Sequence, residues 1–183
     1  MEFYTTDQWD EELWSQAGFI YKQAFETSGS KTEAIIRRLL TKKLGHLHIA
    51  KDGSDLIAMS LTGKLEGIDA LLIDYIAVRE VRRNQGIGRL FLDYIIEWTR
   101  NTEYCNGVVI EIEYGDNPLY WKRVRFWQQS GFILTSYIHI YKWVPETYQA
   151  MYLILEPEAT IPTDGALLFD HITEFHEKAY RRK

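Results

Sequence analysis

A single cysteine, Cys105, among 183 residues excludes an internal disulfide and a thiolate metal cluster. No apolar run approaches the ~18 residues of a membrane span, and the opening MEFYTTDQWDEELW is acidic where a secretory leader would be basic. Positive charge is short as well. The 21 Lys and Arg stand against 26 Asp and Glu, a net charge of -5. That balance excludes nucleic-acid binding through overall charge and suits a basic small-molecule partner. Four prolines, no repeat and no low-complexity tract leave no interior linker, so a single cytoplasmic domain is expected. Histidine is scarce too. His46 and His48 alternate on one strand without a third ligand in view, and read as solvated edge residues. His171 and His176, five apart, do not share a helix face well, so no metal centre is expected.

What the chain does have is a globular composition, 46% hydrophobic and 26% charged, on a length suited to one sizeable core. Aromatics are plentiful, with 6 Trp, 12 Tyr and 8 Phe, and crowd positions 114–152. MEFYTT predicts a short strand. Trp9, Leu13, Ala17, Ile20, Tyr21 and Ala24 predict a helix that SGS ends. Ser30 and Glu33 predict a capping box for a second helix through Leu39 and Leu40, stopped by Gly45. HLHIAK and DLIAMSLTG, joined by DGS, read as a hairpin, and residues 68–78, IDALLIDYIAV, as a strand covered on both faces. Ile87, Leu90, Phe91, Tyr94, Ile95 and Trp98 predict the inward stripe of a third helix. GVVIEIEY follows as a strand, and 118–130 as a helix with Pro118 in its first turn and Gly131 at its end. FILTSYIHIYKWV and YQAMYLILEP read as an antiparallel pair. Residues 166–180 read as a last helix with Leu167, Leu168, Ile172, Phe175 and Ala179 inward. The order β-α-α-β-β-β-α-β-α-β-β-α describes one mixed α/β domain over 1–183. Its core covers about 1–155, with a loop-and-helix extension over 156–183.

Between the strand 68–78 and its helix stands VRRNQGIGRLFLDYII, residues 81–96. A helix N-terminus offers unpaired N–H groups and partial positive charge, so anions settle there. Gly86 and Gly88 lack Cβ atoms and admit a phosphate close to the backbone, while Arg82, Arg83 and Arg89 add charge. Two familiar phosphate motifs do not fit. A dinucleotide fingerprint needs glycine at Phe91, and a P-loop needs Gly-Lys-Ser/Thr.

YIAVREVRRNQGIGRLFLDYII resembles the central motif of the GNAT superfamily of N-acetyltransferases, with Arg83, Gly86 and Gly88 filling R/Q-x-x-G-x-G/A. NPLYWKRVRFWQQSGF looks like that family's next motif, a helix led by Asn117 and ending in Gly-Phe. The resemblance covers about residues 1–155. It implies a central mixed, mostly antiparallel sheet flanked by helices, and acetyl-CoA in a cleft where strands 68–78 and 107–114 splay apart. Backbone of Ile76, Ala77 and Val78 would meet the pantetheine arm and the oxyanion. The turn of Arg83, Asn84, Gln85, Gly86, Ile87, Gly88 and Arg89 would hold the diphosphate. Asn117 and Trp127 would complete the cofactor site, and the first two helices would wall the acceptor side.

Transfer to an amine needs a base, because free amines are mostly protonated at neutral pH. Glu111 and Glu113 share one face of their strand. Glu111, in an Ile-Glu-Ile setting, resembles the catalytic strand of the ribosomal-protein acetyltransferase branch and is the candidate base, ahead of Glu113 and Asp74. Many family members carry a tyrosine acid four residues before the Gly-Phe, where this chain has Trp127. An indole N–H is no useful acid at neutral pH, so Tyr120 is the candidate, with Tyr114 and water as substitutes. The sequence thus points to an acetyl-CoA-dependent N-acetyltransferase acting on a small-molecule or peptide amine, with a homodimer possible. Trp127 keeps a catalytically silent acyl-CoA-binding module in view as the alternative.

Overall fold

The computed structural model describes residues 1–25, 30–101, 105–142 and 144–181. Ser28 and Gly29 of the expected helix break, and Trp143 of the closing pair, lie outside them. The predicted element order is the observed one: β1 (Glu2–Thr6), α1 (Glu11–Phe25), α2 (Glu33–Thr41), β2 (Gly45–Asp52), β3 (Asp55–Leu65), β4 (Ala70–Val78), α3 (Ile87–Arg100), β5 (Gly107–Glu113), α4 (Pro118–Gln128), β6 (Ile133–Ile140), β7 (Thr147–Ile154) and α5 (Gly165–Tyr180). One 3-10 turn, Glu80–Arg82, precedes α3. The strand order is β1-β2-β3-β4-β5-β7-β6 in a mostly antiparallel sheet flanked by helices. Among the described residues no helix is long and apolar enough to cross a membrane. The chain forms two compact units, one of residues 1–63, 73–97 and 179–183, the other of 64–72 and 98–178.

In the first unit β1 pairs with β2, and β2 with β3, where Asp52 faces Asp55 across the expected hairpin turn. Between Leu56 and Gly63, β3 is buried without a break, so it too carries the doubly covered pattern, which in β4 holds over residues 70–73. In β4 burial gives way from Asp74 to Ile76. Three local expectations are corrected. The N-cap of α2 is Thr32 and no side chain caps it, so the Ser30–Glu33 box does not form. Gly45 opens β2 instead of stopping α2. A Cβ there would lie 2.2 Å from both the Leu39 side chain and the Thr62 carbonyl, so close packing requires the glycine. On α3 the inward face is Ile87, Phe91, Leu92, Ile95 and Thr99, and Leu90 is outside. At 3.6 residues per turn Leu90 stands well off the line through Phe91 and Ile95.

His48 also differs from expectation. Because β1 covers the flank of β2, it is fully buried. Its Nδ1 bonds the Thr5 hydroxyl at 2.7 Å and its Nε2 the Thr62 hydroxyl at 2.8 Å, while Tyr94 bonds Thr5 at 2.7 Å. Burial, with a smaller contribution from His46, pushes the imidazole down to about 3.

In the second unit β7 lies between β5 and β6, with Glu111 opposite Ala150 and an irregularity in β6 between Leu134 and Ile138. The Asn117 side chain caps α4, accepting from the Tyr120 N–H at 3.0 Å. Asp164 caps α5, accepting from Ala166 and Leu167 at 2.8 and 3.2 Å. The α5 stripe is Leu168, Phe169, Ile172 and Phe175, and Leu167 points outward.

The buried neutral His48 gives the first prediction. Its folded-state value lies below the ordinary 6.5, so between about 3 and 6.5 the unfolded chain binds the extra proton. Stability is therefore fully present above 6.5 and lost as pH falls, by up to about 1.4 kcal/mol per unit. His48→Gln should be less stable than the parent at pH 7, and urea unfolding should show the deficit shrinking towards pH 5. A constant deficit would exclude His48 as the source.

Candidate active site

The residues expected to hold an anion lie together in the first unit. Arg89 and Leu90 donate back to the Gly86 carbonyl at 3.1 and 3.2 Å, so the N–H groups ahead of them have no intrahelical acceptor. Gly86 has φ +78°, and a Cβ built on it would meet nothing within 4 Å, which marks an open approach to the turn. Asn84, with φ 62°, is left-handed as well, a conformation that asparagine tolerates and that turns successive N–H groups to one side. Asn84, Gln85 and Gly86 are exposed, Gly88 is half-buried, and Ile87 anchors the helix in the core. These features fit an anionic group held by backbone amides.

The arginines contribute less than their number suggests. Arg82 is paired with Asp52, Arg89 with Asp93 at 3.1 Å, and the Arg83 Nε donates to the Val78 carbonyl at 3.1 Å. The two ion pairs are exposed enough to be worth under about 1 kcal/mol each, so a phosphate can compete for them. Arg83 instead ties the turn to the end of β4. On that strand Ile76 and Val78 are half-buried on one face and Ala77 is buried on the other.

Asp74 continues the face of Ile76 and Val78. It is ion-paired with Lys31 at 2.7 Å, both side chains being 3% exposed. The Lys31 ammonium lies 5.2 Å from the Tyr75 ring centre and 6.0 Å from that of Tyr180. The Tyr21 hydroxyl donates to the Lys31 carbonyl at 2.9 Å, and the Lys31 N–H donates to the Tyr75 hydroxyl at 3.2 Å. Burial first pushes Tyr75 upward, Asp74 adding to it, and burial pushes Tyr21 up to about 12. The sequence reading missed Lys31.

The second unit holds the remaining candidates. Glu111 is half-buried, with its Oε2 accepting from the Tyr141 hydroxyl at 2.8 Å and its Oε1 from His176 Nε2 at 2.7 Å. Tyr148, His139 and Phe169 ring this group, with Tyr148 5.5 Å from Tyr141 and His139 stacked on Phe169 at 4.2 Å. Burial pushes Tyr148 up to about 12, aided by the charge of Glu111, and pushes His139 down. Glu113, by contrast, is exposed and 3.8 Å from Arg123. The two glutamates of one face are thus chemically distinct.

Tyr120 and Glu111 have separate partners. The Tyr120 hydroxyl donates to Gln149 Oε1, and Gln149 donates to the Thr135 carbonyl at 3.1 Å. Burial, then Tyr114, pushes Tyr120 upward. Trp127, buried on the same helix, meets Phe126 and Phe132 edge-on at 5.2 and 5.1 Å. Tyr141 and Gln149 were also missed by the sequence reading, and His176 was weighed there only as a metal ligand. Only His176 gave a signal, as a polar residue continuing the line of Phe169 and Ile172.

Residues 6–132 match the Acetyltransferase (GNAT) family. Among solved structures, a protein from Bacteroides thetaiotaomicron assigned to that family aligns with a TM-score of 0.71 and 15% identity, over 100% of both chains. An aminoglycoside 6'-N-acetyltransferase complexed with coenzyme A aligns with a TM-score of 0.70 and 12% identity, over 86% of this chain and 99% of that one. A ribosomal-protein-alanine N-acetyltransferase from Brucella melitensis aligns with a TM-score of 0.65 and 15% identity, over 85% and 100%. No curated protein sequence matches. The structural likenesses, at these identities, show the fold. The sequence match spans more than half of the chain and includes the glycine turn, and on that ground the protein belongs to the Acetyltransferase (GNAT) family.

Proposed function

We propose that the protein moves an acetyl group from acetyl-CoA to a primary amine by direct transfer in a ternary complex. The observation that carries this reading is the open turn 84–88 at the start of α3, in a chain of an acetyltransferase family. Coenzyme A in the aminoglycoside 6'-N-acetyltransferase of similar fold supports it. The diphosphate would rest on the amides from Gln85 to Arg89, and the pantetheine arm along Ile76 and Val78. Acetyl-CoA supplies an activated acyl group, and the chain must supply a base, an oxyanion donor and an acid. Backbone N–H near Ala77 or Val78 serves the oxyanion without a special side chain.

Glu111 takes the proton of the acceptor ammonium in this reading. Its partial burial and two donors mark a carboxylate held in one orientation, unlike Glu113. Tyr120 stays protonated at neutral pH, as an acid must, although its proton is directed at Gln149. That engagement, with Trp127 in the usual tyrosine position, favours a second reading, a silent acyl-CoA-binding module. The similar folds carry names that span aminoglycoside and ribosomal-protein alanine acceptors. The acceptor in the leading reading is therefore a small-molecule or peptide primary amine, met in the cytoplasm.

Acetyl-CoA should raise the melting temperature, by about 2.7 kcal/mol of stabilisation at a hundredfold excess over Kd. Gly86→Val or Gly88→Val should abolish that shift and keep a folded far-UV spectrum. Strain at the positive φ of Gly86 costs about 1–2 kcal/mol without ligand. A folded variant with unchanged affinity would overturn the site.

Glu111→Gln should lower kcat by about 10²–10⁴-fold with acetyl-CoA affinity kept. Free-thiol release with a panel of amines measures it. Binding of acetyl-CoA with no release for any amine would favour the silent module.

Tyr120→Phe should lower kcat more than Trp127→Phe does. It also strips a donor from Gln149, at a cost of about 1–3 kcal/mol in denaturant unfolding. Loss of stability with kcat intact would make Tyr120 purely structural and leave the thiolate to water.

A further inference from the structure

We infer that the C-terminal helix belongs to the catalytic apparatus, with His176 on α5 acting as a positioning residue that, together with Tyr141, orients the Glu111 carboxylate. The inference rests on the reading of Glu111 as the base. Each carboxylate oxygen has its own donor, His176 Nε2 on Oε1 at 2.7 Å and the Tyr141 hydroxyl on Oε2 at 2.8 Å. Two donors on opposite oxygens fix the plane of the carboxyl group. The side chains of His176 and Glu111 are only 10% and 11% exposed, so solvent competes little for these bonds.

Packing alone does not account for the histidine. Leu168, Phe169, Ile172 and Phe175 give α5 a continuous buried stripe. His176 stands one turn beyond Ile172 on that stripe, where an aliphatic residue would bury as well. A near-buried imidazole and carboxylate both lose hydration, and replacing such a pair by apolar groups is often neutral or stabilising. A leucine there would fill the stripe but remove the N–H aimed at Glu111, and losing one partner of such a pair while the carboxylate stays costs stability.

The chemistry gives that N–H a use. When the ammonium of the acceptor loses a proton to Glu111, the electron pair stays on nitrogen and the carboxylate becomes a carboxylic acid. Efficiency depends on the oxygen being held within a fraction of an ångström of its working position. Both donors lie beyond residue 132, where the family match ends, so this orientation comes from the C-terminal part of the chain.

The test uses the full-length protein with acetyl-CoA and three acceptors: spermidine, kanamycin and a peptide with N-terminal alanine. Kinetics are followed on the best of them. His176→Leu should lower the melting temperature, because it removes one partner of a near-buried pair. The folded variant should keep the KM for acetyl-CoA and lose about 10–100-fold in kcat, the usual scale for a partner that orients a working ligand. His176→Gln, which keeps an N–H donor of similar reach, should recover most of that loss. Wild-type kcat in His176→Leu, or no recovery in His176→Gln, would overturn the inference. If Glu111→Gln is slow while His176→Leu is normal, the base reading stands and only the role of His176 falls. If Glu111→Gln keeps full kcat, or no amine is acetylated although acetyl-CoA binds, the base reading falls and the inference with it.

Discussion

Burial of the middle strands is the constraint on which the rest of the structure depends. A strand covered on both faces, as β3 is between Leu56 and Gly63, admits few polar groups, and each one admitted needs a partner. In the first unit His48 is satisfied by Thr5 and Thr62, which binds β1, β2 and β3 together, and Tyr94 brings in α3. The ammonium of Lys31 is satisfied by Asp74, which fixes the chain ahead of α2 to β4. In the second unit Tyr120, Gln149 and Thr135 join α4, β7 and β6. Glu111, Tyr141 and His176 join β5, the end of β6 and α5. These networks specify more than they stabilise, because each leaves an unsatisfied group if one element shifts.

The sequence carried the element order well because amphipathic periods are local. The α3 helix, the Asn117 cap with Pro118 and the hairpin at Gly53 all depend on residues a few positions apart. It carried the coverage of strands poorly. His46 and His48 read as edge residues because nothing within HLHIAK shows that β1 will lie beside β2. The double coverage expected of β4 is largely present, with no exposed residue along it, but the same coverage of β3 was not read. Leu90 was placed inside because a stripe read by spacing tolerates a rotation that packing around Phe91 and Ile95 does not.

The two halves of the candidate site differ in legibility for the same reason. The anion turn is contiguous, so its glycines and helix start could be read directly. The pairing of Arg82 with Asp52 and of Arg83 with the Val78 carbonyl could not, and it leaves the backbone amides as the main donors for the proposed anion. Amide binding is less sensitive to salt than binding by exposed charges, since its donors are fixed by the helix. Glu111 and Glu113 were indistinguishable in VVIEIEY. Only residues 30 and 65 positions further on, Tyr141 and His176, separate them.

That separation bears on how the proposed chemistry is distributed along the chain. The features proposed to bind the acyl donor occupy one stretch from Ile76 to Arg89, where the strand end and the helix start are tied together by Arg83 and Val78. The Glu111 carboxylate, the proposed base, is instead held by donors from positions 141 and 176, both beyond the matched family region. Substitutions at Tyr141 or His176 alter the carboxylate while leaving the donor turn chemically intact. On the proposed reading, donor binding and the orientation of the base therefore draw on different parts of the sequence, the first on a contiguous turn and the second on a C-terminal segment folded back onto β5.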